Sequence, residues 1–290
     1  MHGWYPFLGN RPRWARTRML AGMSRREILS WFASAAVAGL NSACATPTSA
    51  PLASSALQPT SGNPGTGKVR AICFDLFTLF DPRSVEGVVA AAVPSEASAF
   101  TDAWRTRQFQ YAFLRAAADQ YRDFERVTED ALLHTAAARG VTLSATARRR
   151  LVEAHSQLEL WPDAREMLTE FHALGLRLAP LANYSPSMLS RLLARAEVTP
   201  YFEQLLSTDL ARTFKPHPRA YALGAERLGL DPDEIVFAAF GGWDAAGAKW
   251  FGYPTFWVNR LGQTQEQLAP GADASGVTLA DLAEFVRSRA

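Results

Sequence analysis

The sequence predicts an α/β fold, a Rossmann-like parallel sheet core with an inserted helical cap domain. Three observations carry that expectation. From Pro162 onward, short β-rich runs alternate with segments of helical character, the pattern of a parallel sheet covered by helices on both faces. One isolated run, Val69-Arg70-Ala71-Ile72-Cys73-Phe74, stands far upstream and delivers Asp75 at its C-terminal tip. Between that run and the next strand lies a long stretch, about 95–158, with helical segments and no strand signal.

The elements follow in order. A first strand is expected over about 69–75. Helices are expected over Glu96 to Tyr121, Thr128 to Arg139 and Ser144 to Leu158. Thr128 with Glu129 and Asp130 offers a start, and Gly140 a C-cap, for the middle one. Helix 163–174 leads into strand 176–182, where Pro180 argues for an edge or irregular position because proline cannot donate to a ladder. Helix 186–196, a short strand 204–207, helix 218–228, strand 235–240, helix 244–251, strand 254–258 and a terminal helix 278–288 complete the alternation. The expected organisation is a core of residues 68–83 and 162–290 interrupted by a helical cap of residues 84–161. No internal repeat is visible.

The first 67 residues differ in kind. Ser24-Arg25-Arg26-Glu27-Ile28-Leu29 has the form of a twin-arginine export signal and precedes a moderately apolar segment from Ile28 to Leu40, too short to span a bilayer comfortably. Ala43-Cys44-Ala45 provides small residues for cleavage, and Leu40 to Cys44 is a loose lipid-attachment box that would make Cys44 a lipid anchor. Residues 1–45 form this signal segment. Residues 46–67, rich in Pro, Ser, Thr and Gly, read as a disordered linker. The expected location is exported, periplasmic or anchored in the bacterial envelope.

Of 290 residues, 48% are hydrophobic and 20% charged, an ordinary globular balance. The net charge of +2 hides a basic leader, net +5 over residues 1–45, so the remainder carries about −3. That excludes a basic nucleic-acid surface. Cys44 and Cys73 have no Cys or His neighbour at metal-ligand spacing, and the five histidines are scattered, which sets aside a structural zinc site.

Three residues carry the chemistry. Asp75 ends the first strand, Lys215 stands in Lys215-Pro216-His217-Pro218, and Asp244 follows Trp243 after another apolar run. Open α/β sheets bind ligands outside the carboxyl ends of their strands, and two carboxylates with one lysine at such ends suggest a nucleophile and its supporting charges. Asp75 alone would read as a turn or helix cap.

The motifs around these residues resemble the haloacid dehalogenase superfamily, specifically the type II 2-haloacid dehalogenases, over residues 69–260. The matching positions are Asp75; Trp104-Arg105 with the aromatic helix Gln108-Phe109-Gln110-Tyr111; Asn183 before Ser185-Pro186; Phe214-Lys215-Pro216-His217-Pro218-Arg219-Ala220-Tyr221; and Trp243-Asp244-Ala245-Ala246-Gly247. The resemblance implies an enzyme, a hydrolase that breaks the carbon–halogen bond of short 2-haloacids through an aspartyl ester on Asp75, without a metal or other cofactor. Lys215 would hold Asp75 ionised and oriented. Arg105, with Asn183 and the edge of Phe124, would receive the halide. Asp244 would pair with Lys215 and position or activate the hydrolytic water. Thr78 and Tyr221 would line the pocket, with Phe77, Phe124 and Trp243 as apolar walls. The partner would be a small halogenated carboxylic acid, and relatives often dimerise through the cap, which leaves a homodimer open. Phosphatases of the superfamily carry a second Asp two residues after the nucleophile, where this chain has Phe77.

The chain also departs from the pattern. The loop after Asp75 lacks a Gly and is one residue shorter. Ala182, Ala239 and Gly241 stand where the family has polar side chains near the substrate carboxylate and water. Each lost hydrogen bond costs about 1–3 kcal/mol, so two alternatives stay open: a hydrolase of this fold with another substrate, and a degenerate, non-catalytic binding domain of the envelope.

Overall fold

The computed structural model describes residues 68–289. The signal segment, Cys44 and the linker of the sequence analysis lie outside them.

Strand β1 (Ala71–Phe74) lies in the interior of the main sheet. Its side chains alternate between two buried faces, so its sequence is apolar throughout instead of alternating with polar residues. Ile72 and Phe74 belong to one core cluster, Ala71 and Cys73 to the other. After β1 come a single helical turn, α1 (Leu76–Leu79), and the two-residue strand β2 (Phe80–Asp81). Four helices follow without a strand: α2 (Glu86–Ala92), α3 (Ala97–Ala117), α4 (Phe124–Ala138) and α5 (Ala145–Ala154). They enclose a third apolar cluster around Val89, Phe100, Trp104 and Leu132. The chain leaves this block through β3 (Glu159–Leu160), which pairs antiparallel with β2, Phe80 opposite Leu160. Entry and exit of the helical block are thus tied together, a device of two short strands that no propensity signal announces.

The alternation then resumes with α6 (Ala164–Ala173), β4 (Arg177–Ala182), α7 (Pro186–Arg195), β5 (Leu206–Ser207), α8 (Pro218–Leu228), β6 (Ile235–Ala239), α9 (Gly242–Phe251), β7 (Thr255–Val258), β8 (Ala274–Gly276) and α10 (Leu279–Arg287). The sheet order is β5-β4-β1-β6-β7-β8, with every pairing parallel. Helices α6, α7 and α10 pack on one face through residues such as Phe171, Leu192 and Leu282. Helices α8 and α9 cover the other through Tyr221, Leu223 and Ala245. Because the chain leaves β1 for β4 on one side and adds β6 on the other, the carboxyl end of β1 is a topological switch point, where a crevice opens.

Three expectations change. Pro180 sits in an interior strand, not at an edge. The Arg177 N–H donates to Arg70 on the β1 side, so by the strand's alternation Pro180 faces β5, whose pairing begins only at Leu181. No ladder bond is sacrificed there. Helix α4 starts four residues before Thr128, capped by Asp123, whose side chain accepts from the Arg126 N–H. Thr128 is a buried junction instead: it donates to the Phe124 carbonyl and accepts from Gln108 Nε2. Finally, the sheet has a sixth strand, β8, whose Ala-Ser-Gly sequence carries no β propensity.

Candidate active site

Asp75 leaves the end of β1 with its N–H bonded to the Ala238 carbonyl of β6. It also caps α1: Oδ2 accepts from the Phe77 N–H at 3.2 Å, and its backbone carbonyl accepts from Thr78 Oγ1 at 2.7 Å. The helix cap and the expected nucleophile are therefore one residue. The shortened turn is held from outside by two side chains that sequence reading missed. Trp161 Nε1 donates to the Phe77 carbonyl at 3.0 Å, and Arg260 Nε to the Thr78 carbonyl at 2.9 Å. Arg260 is itself fixed by Asp163. Neither stands near a motif, and only the fold brings them beside the turn.

Lys215 Nζ donates to Asp75 Oδ1 and to Asp244 Oδ2, both at 2.7 Å. It is 1% exposed and lies 5.2 Å from the centre of the Phe237 ring. Burial alone would lower the ammonium's pKa, but Asp244 and Asp75 more than offset it and hold it above the usual lysine value. Asp244, in the first turn of α9, is fully buried. Burial lifts its carboxyl to about 6 against the pull of Lys215, and the charge of Asp75 adds to the rise. Its second oxygen accepts from the Tyr221 hydroxyl at 2.7 Å. The Lys215 loop is positioned by Asn183, whose Oδ1 accepts from the Lys215 N–H at 2.9 Å. Only the amide nitrogen of Asn183 is left to serve a ligand. Ser185, not Asn183, caps α7.

A cavity of about 280 Å³ opens over Asp75. Phe77, Arg105, Phe124, Asn183 and Trp243 line it, as the sequence suggests. Thr78 and Tyr221 do not: both are buried behind Asp75, Thr78 on its carbonyl and Tyr221 on Asp244. Lys215 and Asp244 likewise stand behind the wall, so Asp244 acts on the cavity through Lys215. Arg105 lines the cavity from the helical block and keeps one ion pair, to Asp102 at 2.8 Å. Phe109, Tyr184 and Phe240 were not among the expected wall residues, yet all three line the cavity. Phe77 packs edge-on against both Tyr184 and Phe240. Among the described residues no group of three His, Cys, Asp or Glu could hold a metal ion.

The family model for haloacid dehalogenase-like hydrolases matches residues 69–252. The chain belongs to that family. Within it, the chain is 35% identical over 223 residues to an (S)-2-haloacid dehalogenase of Pseudomonas sp. strain YL, covering 77% of this chain and 96% of that one. It is 36% identical over 215 residues to haloacetate dehalogenase H-2 of Moraxella sp. strain B, covering 71% and 96%. Among solved structures, an L-2-haloacid dehalogenase of Xanthobacter autotrophicus with chloropropionic acid covalently bound superposes with a TM-score of 0.73 at 34% identity, covering 77% of this chain and all of that one. A family member thus carries its charged groups at the strand end where that fold opens its crevice.

Proposed function

We propose that this chain is a hydrolytic dehalogenase that cleaves the carbon–halogen bond of 2-haloacids through an ester on Asp75. The observation that carries the proposal is the Asp75 carboxylate held at 2.7 Å by a buried lysine and open to a cavity that Arg105 also lines. One Asp75 oxygen would attack the α-carbon in line as the halide leaves with the bonding electrons toward Arg105 and the amide of Asn183. Water would then cleave the ester, returning the carboxylate and releasing a 2-hydroxy acid and a proton. The aromatic walls exclude water from the first step and strengthen the charge interactions. Phe77 at the second position after Asp75 leaves no general acid for phosphoryl transfer. The relatives' names and the covalent chloropropionate adduct support the same chemistry.

The test is halide release from 2-chloropropionate, with Asp75→Asn as the control. Single turnover in heavy-oxygen water should place the label in the Asp75 carboxylate. Unchanged turnover in the variant, or label only in the product, would overturn the nucleophile. A second assignment, another substrate on the same machinery, draws on Ala182 and Gly241, which put no polar side chain into the cavity wall. Mass detection of a modified Asp75 across a substrate panel separates the two.

A further inference from the structure

Resting on the dehalogenase assignment, we infer that the cavity is shaped for a 2-haloacid whose α-carbon carries a planar aromatic substituent. A three-carbon haloacid has six non-hydrogen atoms, the bulk of roughly three or four waters, or on the order of 100 Å³ at about 30 Å³ per water. The cavity holds about 280 Å³. A small acid held at Asp75 would leave room in the cavity between it and the open rim at Gln263 and Glu266, beside a charge that works best dry.

The extra space has one chemical character. Its charged and amide groups lie at Asp75, Asn183 and Arg105, with Gln263, Thr264 and Glu266 at the exposed rim. Much of the wall between is made of rings, Phe77, Phe109, Phe124, Phe240 and Trp243, with Tyr184 and Leu76 beside them. Trp243 is locked edge-on between Phe109 at 5.5 Å and Phe113 at 5.1 Å, so one wall is a fixed aromatic surface joining α3 to α9. The space that surface needs is made by Gly241. A Cβ there would lie 2.7 Å from Trp243 Nε1 and 3.1 Å from its Cδ1. With glycine at 241, the indole keeps its present place in the wall. Rigid rings meeting edge-on recognise another ring better than a flexible chain, which must give up rotamer freedom to enter.

The reaction balances as for any 2-haloacid. The Asp75 oxygen–carbon bond forms as the carbon–halogen bond breaks, and water then yields the 2-aryl-2-hydroxy acid, halide and a proton. The experiment measures halide release by the purified chain from 2-chloro-2-phenylacetate, 2-chloropropionate and 2-bromohexanoate, each corrected with Asp75→Asn. A kcat/KM for the phenyl acid at least tenfold above that for chloropropionate is expected, within the range of about 10–200-fold that apolar pockets deliver. Gly241→Asn should shrink that ratio about tenfold by displacing Trp243. Phe240→Leu, which removes one ring of the wall, should likewise shrink the ratio, and melting curves of both variants check that they fold. A preference for chloropropionate, or for bromohexanoate over the phenyl acid, overturns the inference and leaves the dehalogenase assignment standing. Halide from none of the three overturns that assignment and the inference with it.

Discussion

At the scale of single residues, the site turns on two carboxylates sharing one ammonium. A lysine with so little exposure persists only because Asp75 and Asp244 compensate it. Lys215→Ala should leave Asp244 buried without a counter-charge and cost about 3–5 kcal/mol, read from urea unfolding at pH 7.5. The loss should shrink at pH 5, where Asp244 can take a proton. The direction follows from its raised carboxyl of about 6. The folded protein binds that proton more tightly than the unfolded chain, so the group's contribution to stability is full below the ordinary carboxylate value of 3.8 and is lost as pH rises through about 6. Activity should run the other way. Halide release should rise with pH through about 6, because only the ionised form of Asp244 shares Lys215 with Asp75. A flat rate from pH 4.5 to 8 would show that Asp244 does not govern the nucleophile. Asp75 and Asp244 were legible because each follows an apolar run, and Lys215 because it stands in a Lys-Pro-His-Pro loop. Arg260 and Trp161 were not, since they act through carbonyls of the turn after Asp75 and no sequence spacing encodes that contact.

At the scale of elements, packing distances set what helices tolerate. Gly87 in α2 and Gly247 in α9 are both helical glycines, and propensity alone would make Ala better at each. A Cβ on Gly87 meets nothing within 4 Å, whereas one on Gly247 would strike the Tyr221 hydroxyl and lie 2.8 Å from Pro216 Cβ. Gly87→Ala should therefore stabilise the protein by about 0.5–1 kcal/mol. Gly247→Ala should destabilise it by about 1–3 kcal/mol and lower turnover, because it pushes Tyr221 off Asp244. Thermal melts of the two variants check both signs. Helix α8 was legible to the residue, with Pro218 opening it after the His217 cap and Gly229 closing it in a left-handed conformation. The start of α4 was not, because Thr128 has the chemistry of a cap and is used for a buried bond between helices. Strands β2, β3 and β8 owe their pairing to neighbours, which a local pattern cannot show.

At the scale of the whole molecule, the order of assembly bears on the N-terminal segment. Strand β1 is the first element described, yet it pairs with Arg177 to Pro180 of β4 on one side and with Ile235 to Ala238 of β6 on the other. Its second edge stays unpaired until more than 160 residues of later sequence have been made, and such long-range pairing forms slowly. A chain of this kind suits a translocation route that accepts folded cargo, and we propose that Arg25 and Arg26 direct it there. The double substitution Arg25→Lys with Arg26→Lys keeps the charge of the segment but removes the paired guanidinium groups. Expressed in a bacterial host with the twin-arginine route, the natural chain should reach the periplasm in halide-releasing form, and the doubly substituted chain should stay in the cytoplasm with equal specific activity. Fractionation with an activity assay on each fraction decides it. Equal export of both proteins would remove the twin-arginine assignment and leave the fold and the Asp75 chemistry untouched.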